Sequence, residues 1–170
     1  NITELTHADT SGINMIMLGI IEELKLNHIL TTQVSRHCST VIRETDLARR
    51  IIHAASENNL TPKHINDGLL VHHGHKDYAF CSGELLEMQS NIKDKNYRIY
   101  VNDDGIHLFN KNVYKIFSDP FDFYEHLEVS DDPGHAFYLG VELARAQVAH
   151  QLKKEYQQDE ELSWGCLVDK

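Results

Sequence analysis

Asp9-Thr10-Ser11-Gly12-Ile13-Asn14-Met15-Ile16-Met17-Leu18-Gly19-Ile20-Ile21-Glu22-Glu23-Leu24, followed shortly by His28-Ile29-Leu30-Thr31-Thr32, is the stretch on which the fold reading turns. Asp9, Thr10 and Ser11 offer oxygens to cap a helix. Ile13, Ile16, Met17, Ile20, Ile21 and Leu24 then recur at three- and four-residue spacing, which predicts a helix over about 10–26 with one broad apolar face. The β-branched content of 28–32 predicts a short strand. Upstream, Asn1-Ile2-Thr3-Glu4-Leu5 reads as the end of another strand entering a loop.

A second helix is predicted from about Thr40 to Ser56, with Val41, Leu47, Ala48, Ile51, Ile52 and Ala55 as its inner stripe. Strand, helix, strand, helix is what parallel pairing with helical crossovers produces, so 2–5 and 28–32 are expected as parallel neighbours. Two such units leave sheet edges open and need something else to pack against. Asn1 is not an initiator methionine, and the expectation is a chain that begins inside a longer protein.

Near Glu57-Asn58-Asn59-Leu60-Thr61-Pro62 the pattern changes, which divides the chain into 1–59 and 60–170. Gly68–Val71 resembles a buried strand, and Ser82 can cap a short helix through about Ser90. Tyr97–Val101 and Ile106–Phe109 flank Asn102-Asp103-Asp104-Gly105, a hairpin signal because Asp and Gly accept turn geometry. Val113–Phe117 extends the sheet, Pro120 leads a short helix, and Asp132-Pro133 opens the last long helix. The fold class is therefore α/β: a βαβα unit of TIM-barrel type, then a small α+β domain with a hairpin and a long helix.

Of 170 residues, 41% are hydrophobic and 25% charged, the composition of a chain that can bury a core. No apolar run is long enough to span a bilayer. The formal charge of −10, with no basic cluster, opposes binding to a nucleic-acid backbone. Cys38, Cys81 and Cys166 are odd in number and widely spaced, which points to reduced thiols and a cytoplasmic setting.

Ser35-Arg36-His37 follows the 28–32 strand, and in barrel folds the loops at strand C-termini collect ligand groups. Arg36 is the only arginine in an expected loop of 1–59 and can supply a bidentate fork to an anion. Asp9, opening the first helix after the other strand, belongs to the same end. The bland alternatives are solvated loop groups and plain capping. His72-His73-Gly74-His75 invites a zinc or nickel reading, with His73 and His75 on one face of an extended segment. No recognisable spacing completes such a site, so a His-rich loop is the simpler reading and no metal is expected. Gly140, inside a helix, is best explained by close packing. Trp164-Gly165 reads as an anchor for the tail.

Two segments together carry a family resemblance. Asn1–Asn14 with Ile29–Ser35, and Glu44-x-Asp46-x-Ala48-Arg49-Arg50, resemble the end of the pterin-binding barrel of dihydropteroate synthase-related proteins. His135-Ala136-Phe137-Tyr138-Leu139-Gly140-x-Glu142-Leu143, Tyr156-x-Gln158-Asp159, Trp164-Gly165 and Asp119-Pro120-Phe121 resemble an uncharacterised domain that follows such barrels. Such proteins occur in archaea and methylotrophic bacteria. The resemblance implies a role in tetrahydromethanopterin- or folate-type one-carbon metabolism, a pterin ligand held by Asp9, Ser35, Arg36 and His37, and the rest of a barrel as partner. Arg36-His37 lacks the spacer of the synthases' Arg-x-His element, and their lysine-bearing motif is absent. Pterin binding without independent catalysis is therefore the expectation. The rival readings are a metal-binding module on His72–His75, a structural or homo-oligomerisation domain and, less supported, a corrinoid methyl-transfer module.

Overall fold

A computed structural model describes residues 2–74 and 76–168. The chain forms two compact units: one runs to His72 and includes the tail from Ser163, and the other spans His73–Leu162. The sequence pattern changes at 59/60, but the chain continues within the first unit for a further stretch, and the tail closes that unit.

In the first unit, helix α1 spans Thr10–Glu23 and helix α2 spans Val41–Glu57. α2 buries Val41, Ala48, Ile51 and Ala55, as its periodicity predicts, with Leu47 and Ile52 half-buried. α1 does not follow its periodicity. Its buried residues are Thr10, Asn14 and Leu18, while Ile16, Ile20 and Leu24 stay exposed. A polar link accompanies this: the Asn14 amide donates to the buried Glu44 carboxylate at 2.8 Å, and the Thr40 hydroxyl donates to its other oxygen at 2.7 Å. A buried carboxylate needs such donors, so the pairing fixes the register of α1 on α2.

The two expected strands are not formed. Residues Thr3–Leu5 make a single 3-10 turn, and 28–32 lie outside any helix or strand. A strand persists only with a neighbour to complete its ladder, and the backbones of Ile29 and Leu30 find no partner among the described residues. Among the described residues the parallel pair is not formed, and the βαβα barrel remnant is not shown. Gly68–Val71 is likewise a turn and loop, although Val71 is buried. The fold is mixed α and β in the coarse sense, and the three strands found among the described residues lie in the second unit.

That unit holds helix α3 (Ser82–Ser90), strands β1 (Arg98–Asn102), β2 (Gly105–Phe109) and β3 (Tyr114–Phe117), a 3-10 segment Pro120–His126, and helix α4 (Pro133–Leu152). The sheet is antiparallel in the order β1-β2-β3, and the hairpin pairs Asn102 with Gly105 across the expected Asp103-Asp104 turn. Gly105 has φ +139°, beyond the ordinary reach of a side-chain-bearing residue. Asp132 caps α4 through the His135 amide at 2.9 Å, with Pro133 at the first position. The α3 cap falls on Cys81, one residue before Ser82, and Glu84 returns the bond to the Cys81 amide.

Alternation along the strands sends Ile99, Val101, Ile106 and Leu108 into one core with Leu139, Leu143, Ala146 and Ala149 of α4 and Phe123. An aromatic series marks the rest of the sheet: Tyr100 stacks on Phe109 and Phe109 on Tyr114, with centroids 5.6 and 5.3 Å apart. β2 is buried along its whole length.

Candidate functional site

The Ser35–His37 loop is held by the N-terminal turn. The Glu4 carboxylate accepts the Val34 amide at 2.7 Å and the Ser35 amide at 3.1 Å. Bonds from the Ser35 hydroxyl and the Val34 amide hold Glu4 below the usual carboxylate range. His37 meets the Thr3 carbonyl through Nε2 at 3.0 Å, and its ring stands edge-on to His7 at 5.9 Å. Arg36–Cys38 form one 3-10 turn leading into α2, with the Cys38 thiol buried and its pKa raised by desolvation. Arg36 is exposed, and its side chain makes no hydrogen bond or ion pair with another described residue.

Asp9 sits at the N-cap of α1, but its side chain makes no cap bond. It pairs instead with His72 Nε2 at 3.1 Å, and the His72 ring lies edge-on to Trp164 at 6.4 Å. Thus Ser35 and His37 are tied to residues 3–7, while Asp9 is turned toward the start of the histidine cluster. The tail anchor forms as expected: the Cys166 amide donates to the Gly68 carbonyl at 2.7 Å, and Arg43 donates to the Cys166 carbonyl at 2.8 Å.

The histidine cluster makes no metal centre among the described residues, where no three His, Cys, Asp or Glu side chains converge. His73 is exposed, and His75 lies outside the described residues. Gly74 has a backbone reason: its amide donates to the Leu152 carbonyl at 3.2 Å, and a Cβ would overlap the Lys153 carbonyl.

No family model and no solved structure matches the sequence. The chain is similar to an uncharacterised protein of Methanocaldococcus jannaschii, MJ0107, with 29% identity over 186 aligned positions. That alignment takes in 95% of this chain and 35% of the relative. The chain spans about a third of the length of the curated relative it matches.

Sequence reasoning passed over a polar relay in the second unit. Asn102 donates to Ser82 Oγ at 3.0 Å and accepts from the Asp104 amide at 2.9 Å and from His107 Nε2 at 2.7 Å. Asn102 Oδ1 can only accept, so Nε2 carries the proton and His107 Nδ1 accepts from the Tyr114 hydroxyl at 2.9 Å. Burial holds the imidazole pKa down, which favours the neutral form of His107. Ser82 donates to Asp104, and Asn102 stands between Ser82 and His107. No nucleophile–base pair results, and the relay secures the hairpin beside a cavity of about 590 Å³ lined by Tyr78, Cys81, Ser82 and Asp104. The only early signal was an Asn opening a turn.

The second resemblance segment proves to be scaffolding in large part. Buried Glu142 accepts from Arg145 at 2.7 Å, the Tyr156 hydroxyl at 2.8 Å and the Asp159 amide at 3.1 Å. Gln158 accepts the Ile99 amide at 2.9 Å and donates to the Tyr138 hydroxyl at 2.8 Å, which covers the edge of β1. Gly140 contradicts its packing explanation, because nothing lies within 4 Å of a Cβ built there. It borders an apolar groove of about 780 Å³ with Phe121, Tyr124, Ala136 and Ala144.

Proposed function

We propose that the chain is the C-terminal part of a dihydropteroate synthase-like pterin-binding protein of one-carbon metabolism acting in the cytoplasm. In this reading 1–59 contributes to the end of a barrel, and 60–170 includes the appended α+β domain. Any transferase chemistry belongs to the longer protein, and the chain alone binds pterin weakly or not at all. The observation that carries the reading is Arg36: an exposed guanidinium with no described partner, on a loop pinned by Glu4 and Thr3, in a chain of formal charge −10. A pinned loop loses little freedom on binding, and a free fork suits a phosphate or other anionic group. Ser35 and His37 flank it. Asp9 is a weaker contributor, since its carboxylate already engages His72.

Calorimetric titration of the longer protein with a pterin phosphate tests the reading. Arg36→Ala should weaken binding by about 1.5–3 kcal/mol, the scale of a charge-assisted hydrogen bond. Equal affinity in a folded variant would remove Arg36 from the site.

A further inference from the structure

The groove beside Gly140 is apolar inside and acidic at its border. Ala136, Gly140 and Ala144 stand at four-residue spacing on one face of α4 and, with Gln147, line one side of it. Nothing lies within 4 Å of a Cβ built on Gly140, so the stripe is open above the backbone. The Pro120–His126 segment adds Phe121 and Tyr124, which are 87% and 78% exposed. That segment is anchored: Phe123 is fully buried and meets Phe117 edge-on at 5.0 Å, and Asp119 accepts the Phe121 amide at 2.9 Å. Two large rings are thus held outward on a fixed backbone, the mark of an interaction site. Asp119 lines the groove, and Asp122, Glu125, Glu128 and Asp131 are exposed, each next in sequence to a lining residue. No lysine or arginine occurs between Lys115 and Arg145, and Arg145 is held by Glu142 at 2.7 Å.

We propose that this groove docks an amphipathic helix of a partner protein, with an apolar face against Gly140, Phe121 and Tyr124 and a polar face rich in lysine and arginine. No strand residue lines the groove, so an added strand would find no ladder there. A helix fits instead. From Ala136 to Gln147 the stripe runs about 16 Å, enough for about three turns of an occupant. Its small side chains admit close approach, toward the short end of the roughly 8–10 Å range of helix packing. The acidic border selects a basic occupant. A second copy would bring the same border and another formal charge of −10. The proposal is independent of the ligand reading of Arg36.

NMR titration of the full chain with a peptide of about 18 leucines and lysines, leucine at helical spacing, tests it. Shifts should centre on Phe121, Tyr124, Ala136, Gly140 and Ala144. Affinity should fall at least about tenfold for a scrambled peptide of the same composition, for a leucine–glutamate peptide and in high salt. Gly140→Leu, which fills the open stripe, should weaken binding at least as much while the β1–β3 signals stay in place. If that variant does not fold, Asp122→Lys with Glu125→Lys decides, because it should reverse the preference to the glutamate peptide. No binding, equal binding of the scrambled or glutamate peptide, or indifference to both sets of variants overturns the proposal. Indole that displaces the peptide at equal or lower concentration assigns the groove to a small aromatic ligand and also overturns it. Doubled mass in sedimentation, with the same signals shifting as protein concentration rises, assigns it to a second copy with the same consequence.

Discussion

Glu4 accepts the amides of Val34 and Ser35, and its carboxyl titrates below the usual range because the charged form holds those bonds. A depressed folded-state pKa contributes stability that is fully present above the unfolded value, about 4.5, and is lost as pH falls through the folded value. Glu4→Gln should therefore flatten the acid limb of the stability profile below that pH and speed exchange of the Val34 and Ser35 amides at neutral pH. NMR titration and exchange rates read both effects, and an unchanged loop would remove Glu4 as its anchor. Gly140 poses the opposite question, since the open space beside it leaves a helix-interior glycine with no packing reason. Gly140→Ala should stabilise the second unit by about 1 kcal/mol, measured by denaturant unfolding. A loss of stability would show that the groove-side backbone cannot accept a methyl group.

At the scale of elements, the turn after α4 is fastened by the Glu142 carboxylate, which three donors share. Removing it leaves the Tyr156 hydroxyl and the Arg145 guanidinium unpaired beside the core. Glu142→Ala should cost about 3 kcal/mol and expose the β1 edge, because Gln158 follows from the same turn. Arg145→Ala, at a position one-third exposed, should cost less. Chemical denaturation of both variants gives the order, and equal costs would mean that the ion pair, rather than the Tyr156 and Asp159 bonds, dominates. The hairpin, α2 and the cap of α4 were legible in the sequence because each rests on local chemistry: an Asp-Gly turn, a 3.6-residue stripe, an Asp-Pro start. The Asn102–His107–Tyr114 relay was not, since it joins residues whose partners only strand pairing brings together.

For the whole molecule, two compact units and a tail that belongs to the first set the expectations. The tail bonds to Gly68 and Arg43, and Gly165 sits at φ +59° where a Cβ would also overlap the Gly68 carbonyl. Truncation after Leu162 should therefore speed hydrogen exchange in α2 and leave β1–β3 unchanged. Exchange that rises equally in the sheet would mean the units unfold as one. Among the described residues no helix is long and apolar enough to cross a membrane.

The sequence alone determined both helices of the first unit, the hairpin with its third strand, the capped α4 and the anchoring tail, because propensity, capping and turn geometry act over a few residues. It also singled out Arg36 as a loop cation against an acidic background. Only the tertiary structure decided which face of α1 is buried, where a buried Asn14–Glu44 bond prevails over the apolar stripe. It also decided that 28–32 stands without a ladder and that Asp9 turns to His72. Pairing and burial depend on neighbours distant in sequence, and periodicity records an apolar face without saying what covers it.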